Sequence, residues 1–336
     1  MNASRLVILL AALFLGRALD VPAQQSEAER KQFEELKVKA EKGDAEAQSN
    51  LGKCYFDGAG VAQDHAEAVK WFRKAADQGN ALGQFNLAQC YYQGDGLPRD
   101  HAEAVKWFRK AADQGVANAQ YHLGNSYARG EGVTTNYTEA VKWYRKAAEQ
   151  GFAAAQYNLA NWHYEGKGVR LDYAEAVNWY LKAADQGNAL AQCNLGVCYD
   201  RGEGVPQDHA EAVKWFRKVA DQGVADAQYN LGNCCNEGKG VPQDDAEAVN
   251  WYRKAAEQGY AKAQFNLGLS FGKGEGVAKN YLEAFVWLSL AAAQDLRDAS
   301  RNRDIVARRM SASEIQEGQR RVAAFKPKKS FPSASR

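Results

Sequence analysis

Apolar residues in this chain fall in short helical stripes that return on a fixed period. In residues 44–79, Ala47, Leu51, Cys54 and Tyr55 lie at i, i+4, i+7 and i+8, one face of a helix. Gly58 and Gly60 break that stripe, and Val61 follows them. Asp64, with Glu67 three residues on, is a helix-start pairing in which a carboxylate takes up free backbone N–H groups. A second stripe of Ala68, Trp71, Phe72, Ala75 and Ala76 runs on to Gly79. Glycine suits the left-handed residue that closes a helix. Arg73 and Lys74 occupy the last turn, where cations suit the helix dipole. The unit reads helix, seven-residue glycine loop, helix, tight turn.

This unit recurs seven times at a step of 36 residues, without insertion or deletion. Gln48, Gln84, Gln120, Gln156, Gln192, Gln228 and Gln264 mark it, as do the leucines from Leu51 to Leu267 and the tryptophans from Trp71 to Trp287. A period of this size means that each unit buries its apolar face against its neighbours. The expected fold is all-α: a right-handed α/α solenoid of seven helix-loop-helix repeats over residues 44–295, with helical caps. Residues 24–43 are expected to form an N-terminal capping helix. Residues 296–325 are expected to form two capping helices, near 297–310 and 313–325, the second started by Ser311 and Glu314. Repeat seven departs at its end, with Leu290 for the usual Lys and Asp295 for the usual Gly.

The N-terminus reads differently. Arg5 precedes ten apolar residues, Leu6 to Leu15, and small residues follow at Val21-Pro22-Ala23. This is the pattern of a secretory signal peptide over residues 1–23, with cleavage after Ala23. The run is shorter than the roughly 20 residues that span a bilayer. The expectation is an exported protein, periplasmic or secreted, with no membrane span. The net charge of +2 sets up no general field for nucleic acid. Residues 301–336 carry ten Lys/Arg against three Asp/Glu, so 326–336 is expected to be a basic, disordered tail. Of six cysteines, Cys54, Cys90, Cys198 and Cys234 share one repeat position. Equivalent positions on stacked helices lie about 8–10 Å apart, beyond disulfide reach. The six are read as small buried residues, mostly reduced.

The run Ala45-x-Ala47-Gln48-x-x-Leu51-Gly52-x-x-Tyr55-x-x-Gly58-x-Gly60-Val61, followed by Asp64, Ala68, Trp71, Lys74-Ala75-Ala76 and Gly79, resembles the Sel-one-like repeat, a relative of the tetratricopeptide repeat. The stretch Ala307-Arg-Arg-Met310-Ser-x-x-x-Ile315 resembles a C-terminal cap of bacterial members. The resemblance implies an adaptor that holds a protein or peptide, without catalysis or cofactor. It further implies that two first-helix positions face a concave groove. Asn86, His122, Asn158, Asn194, Asn230 and Asn266 stand at one; Tyr121, Tyr157 and Tyr229 stand at the other. Amides that donate and accept suit an extended backbone, and aromatics give rigid contact area. The same residues also suit the filling of the seam between repeats. Variable neighbours such as Gln89, Asn161 and Asn233 are expected to set specificity.

Two alternatives stand beside the scaffold: a secreted β-lactamase-like or penicillin-binding repeat protein, and a structural envelope or assembly factor. Gly268-Leu-Ser270-Phe-Gly272 matches a nucleophile-elbow pattern, and Ser270 with Lys273 matches Ser-x-x-Lys. The first needs a strand-to-helix turn, and the companion motifs of the second are missing. His65, His101 and His209 share the first position of the second helix, too far apart for one zinc, so no metal site is expected.

Overall fold

The computed structural model describes residues 27–328, and these contain seventeen helices and no strand. The fold is an all-α solenoid. An N-terminal helix, Glu27–Glu41, precedes seven helix pairs. The first helices are Ala45–Asp57, Ala81–Gln93, Ala117–Arg129, Ala153–Glu165, Ala189–Arg201, Ala225–Glu237 and Ala261–Lys273. The second helices are His65–Asp77, His101–Asp113, Tyr137–Glu149, Tyr173–Asp185, His209–Ala220, Asp245–Glu257 and Tyr281–Ala292. Arg297–Ala307 and Ala312–Ala324 follow. The expected signal peptide lies outside the described residues. The chain divides into two compact units, one reaching to Ser126 with Gly130–Thr134, the other Tyr127–Arg129 with the residues from Thr135 onward.

Local chemistry sets each helix boundary. Asp64 Oδ1 accepts the Glu67 N–H at 2.9 Å, and the same cap recurs at the start of every second helix. The glutamate does other work than the expected pairing implied. Glu67 binds Lys70 at 2.7 Å, while Glu175 accepts Trp179 Nε1–H at 2.8 Å. The reciprocal box forms at Ser311 and Glu314. Lys74 does more than face the helix dipole: its Nζ stands 3.9 Å from the Trp71 ring centre. Lys110, Lys146, Lys182 and Lys254 repeat this at 3.7–4.0 Å over their own tryptophans. A cation held over an indole contributes about 0.5–2 kcal/mol.

The loop glycines have two reasons to exist. Both adopt positive φ, +88° at Gly94 and +73° at Gly96. Gly96 also leaves no room: a Cβ there would lie 2.2 Å from the His65 carbonyl oxygen of the preceding repeat. At this second glycine each loop lies close to the backbone at the start of an earlier helix.

Leu51, Leu87, Leu123, Leu159, Leu195, Leu231 and Leu267 are fully buried, each within its own unit. Beside them, each repeat-marking glutamine donates to a carbonyl eight residues back, at the end of the preceding helix. The distances run from 2.9 Å at Gln192 to 3.3 Å at Gln84. In five repeats its own carbonyl accepts from a glutamine thirty residues on, as Gln186 gives to Gln156 at 2.7 Å.

The C-terminal segment corrects one expectation. Residues 326–328 were expected in a free tail, but they dock on the second unit. Lys328 N–H donates to the Glu257 carbonyl at 2.9 Å, and its Nζ meets the Glu257 carboxylate at 2.6 Å. Phe325 packs edge-on against Trp287, the tryptophan that lacks a lysine cover. Backbone pairing and ring contact together outweigh the solvation that a basic composition favours. Residues 329–336 lie outside the described residues.

Repeat five is the weak copy. Val219 stands where the other six repeats have alanine, and it is fully buried. Its helix ends at Ala220, one residue short of most second helices. Gln222 then donates to Lys218 at 3.1 Å instead of to Gln192. The Gln192 carbonyl oxygen is left buried without a partner. Val219→Ala should therefore be neutral or stabilising in chemical denaturation, because a restored hydrogen bond is worth about 1 kcal/mol. Val213→Ala, at an equally buried position, should cost about 2 kcal/mol.

Candidate functional site

The expected site residues lie on the first helices, and the structure divides them into two groups. In the first unit, an open groove of about 450 Å³ is lined by Asn50, Lys53, Leu82, Phe85, Asn86 and Gln89, among others. Lys53, Leu82, Phe85 and Gln89 stand at positions where the repeats differ, whereas the asparagine position changes only at His122. Leu82 is 56% exposed and puts an apolar side chain in this groove. Asn86 makes no side-chain hydrogen bond among the described residues, so both its donor and its acceptor are available in the groove. Asn158, in the second unit, is likewise without one.

The remaining asparagines are engaged. Asn194 Nδ2 donates to Asn161 Oδ1 at 3.0 Å and to the Tyr180 hydroxyl at 3.1 Å. Tyr180 in turn donates to Asn161 Oδ1 at 2.5 Å. Repeat six copies this: Asn266 Nδ2 reaches Asn233 Oδ1 at 3.2 Å, and Tyr252 donates to the same oxygen at 2.8 Å. Asn230 Nδ2 points at Cys193 Sγ, 3.8 Å away. Asn161 and Asn233, expected to be specificity positions, are instead the hubs of the seam between repeats. Burial pushes the Tyr180 and Tyr252 hydroxyls well above the usual phenol range, as befits groups that stay protonated and donate. Tyr157 and Tyr229 lie beside these same rings, at 6.3 Å from Tyr180 and 6.1 Å from Tyr252.

His122 replaces asparagine in repeat three. Its ring stacks on Phe108 at 5.2 Å with an interplanar angle of 7°, and Tyr121 meets it edge-on. Gln89 Nε2 lies 3.3 Å from its Nε2. Burial pushes the imidazole down to about 4, so it is neutral at physiological pH.

Most of the reactive-residue candidates are buried within helices. Ser270 sits inside the helix Ala261–Lys273 and is 7% exposed, with no strand-to-helix turn. All six cysteines are free, and five are buried. Burial pushes the thiols of Cys90, Cys193, Cys198 and Cys234 up to about 12, far from the thiolate needed for attack. No helix among the described residues is long and apolar enough to cross a membrane.

Stacked helix pairs with an open first-helix groove define a repeat scaffold, a fold typical of protein–protein interaction. The Sel1 repeat model matches residues 45–80, 81–116, 117–152, 153–188, 189–224, 225–260 and 261–296, and the chain belongs to that family. Solenoids of this family are generally non-catalytic. A Sel1 repeat protein of Oxalobacter formigenes is 34% identical, with a TM-score of 0.65, over 73% of this chain and 96% of that one. The c5321 protein, a protective antigen of uropathogenic Escherichia coli strains with an SLR fold, is 32% identical over 91% of this chain and 85% of its own, with a TM-score of 0.44. The secretory immunoglobulin A-binding protein EsiB of Escherichia coli is 37% identical over 75 residues. That match spans 22% of this chain and 14% of EsiB.

The depressed His122 makes a pH prediction. The unfolded chain takes up its proton near pH 6.5, the folded chain only near 4, so unfolding is favoured increasingly as pH falls between these values. The loss should reach up to about 3 kcal/mol. His122→Asn, which restores the residue of the other repeats, should remove this part of the pH slope in denaturant titrations at pH 7 and pH 4.5.

Proposed function

We propose that this protein is an exported scaffold that holds an extended segment of a partner protein along its first-helix face. The observation that carries the reading is the groove of the first unit, where Asn86 is unengaged beside Leu82, 56% exposed, and Phe85. An amide with free donor and acceptor can pair with a partner's backbone, while the apolar side chains take alternate residues of an extended strand. In the second unit, the engagement of Asn194, Asn230 and Asn266 in the seam assigns them to packing. That leaves Asn158 and the aromatic Tyr157 and Tyr229 as the contact residues on that side. Export rests on the sequence of residues 1–23.

A photo-crosslinking amino acid at Gln89, in the groove, should capture a discrete segment of one partner in the native cells. The same group at Lys70, on an exposed second-helix surface, should not. Asn86→Ala combined with Leu82→Asp should reduce capture at Gln89 at least about tenfold with helicity unchanged. Equal capture from both positions, or capture indifferent to the double variant, would contradict the reading.

A further inference from the structure

A second recess lies at the other end of the chain and has a different character. It has a volume of about 440 Å³ and sits where the seventh repeat meets the helix Arg297–Ala307. This falls in the ~300–1,000 Å³ range of small-ligand pockets. Its base is apolar, formed by Leu269, Leu288 and Val306. Ile305, 48% exposed, stands at its edge. Lys273, Lys279 and Arg309 line it, and no carboxylate does. Lys273 is partly neutralised by Glu275 at 3.3 Å. Lys279 and Arg309 have no ion-pair partner among the described residues.

One lining residue, Gly272, is unusual for its place in the helix. Gly272 occupies the repeat position held by Phe56, Tyr92 and Tyr164 in three copies and by Ala128, Asp200 and Asn236 in the other three. It lies inside the helix Ala261–Lys273, with none of the positive φ that the loop glycines need. Glycine there weakens a helix relative to alanine. Nor does crowding demand it, because a Cβ would meet only Ala284 Cβ and Val306 Cγ2, both at an ordinary 3.8 Å. Backbone geometry and packing therefore both permit a larger residue. What glycine supplies is space that an aromatic ring fills in three other copies, in a recess also lined by two unpaired cations.

We propose that this recess binds the C-terminal end of a peptide, with a large apolar last side chain in the space over Gly272 and the terminal carboxylate at Lys279 and Arg309. A guanidinium binds a carboxylate in bidentate fashion, and a free chain end is where a peptide presents an apolar group and a carboxylate on one residue. The choice of a peptide rests on the scaffold reading, but the recess is separate from the first-helix groove and can be tested alone.

The test is fluorescence anisotropy on the full chain, with an N-terminally labelled octapeptide of alternating Gly and Ser that ends in Phe as the free acid. Saturable binding is expected, weakened at least about tenfold by C-terminal amidation and further by salt. Gly272→Phe should abolish it by filling the recess. If that variant does not fold, Ile305→Asp and Arg309→Gln, both at the recess margin, should each weaken binding about fivefold or more. Equal binding of acid and amide, binding unaffected by these substitutions, or binding of decanoate without binding of the peptide would overturn the proposal. If the peptide fails while groove crosslinking at Gln89 persists, the recess proposal falls and the scaffold reading stands.

Discussion

The structure depends on a single buried amide that ties the end of one helix to the next repeat. The last carbonyls of a helix have no partner within it, and a buried carbonyl left open costs about 1–3 kcal/mol. Here the second helix of each repeat ends against the next first helix, away from water. The repeat-marking glutamine meets that need: Gln156 Nε2 donates to Ala148 O at 3.1 Å, while Gln156 Oε1 accepts from Gln186 at 2.7 Å. One side chain thereby joins the preceding helix end, its own first helix and the end of its own repeat. Glutamine suits the position because it carries a donor and an acceptor on a stem long enough to reach both.

This constraint accounts for features that look unrelated. The bond works only if the helix before it ends in register, which the left-handed glycines ensure, as Gly151 does at φ +85°. It also needs the small alanines that allow close approach at that end. Repeat five, where Val219 replaces one of these alanines, is the copy in which the glutamine bridge is open and Trp215 sits with its lysine 5.3 Å away instead of the usual 3.7–4.0 Å. Stability in such arrays is close to a sum of repeat and nearest-neighbour terms, so a fault of this kind stays local.

Much of this was legible in the sequence. The helices, their boundaries, the glycine loops and the buried leucines follow from periodicity and capping chemistry, which act over a few residues. The partners of polar side chains were not legible, because they lie about one repeat away. The asparagine row looked uniform, yet Asn194 and Asn266 close seams while Asn86 faces a groove. A signal was nonetheless present within the chain. Asn125, Asn161 and Asn233 occur in the repeats whose second helix carries Tyr144, Tyr180 and Tyr252, whereas Lys53, Gln89 and Val197 accompany Phe72, Phe108 and Phe216. A polar residue facing a tyrosine hydroxyl and an apolar ring facing none is the pattern of a buried pair. Likewise the docking of residues 326–328 depends on Glu257, some seventy residues away, which composition does not reveal.

The repeats therefore divide their residues between two tasks. Most of those that agree hold the array together, and those that differ shape the recess at Gly272 and, with Asn50 and Asn86, the groove of the first unit. The division stands or falls on the glutamine. The most direct measurement is the equilibrium unfolding of Gln156→Leu, which keeps the bulk and removes both hydrogen bonds. A loss of about 2–3 kcal/mol is predicted, with hydrogen-exchange protection falling first at Ala147 and Ala148. A change below about 0.5 kcal/mol, with exchange unaltered at that helix end, would contradict the account.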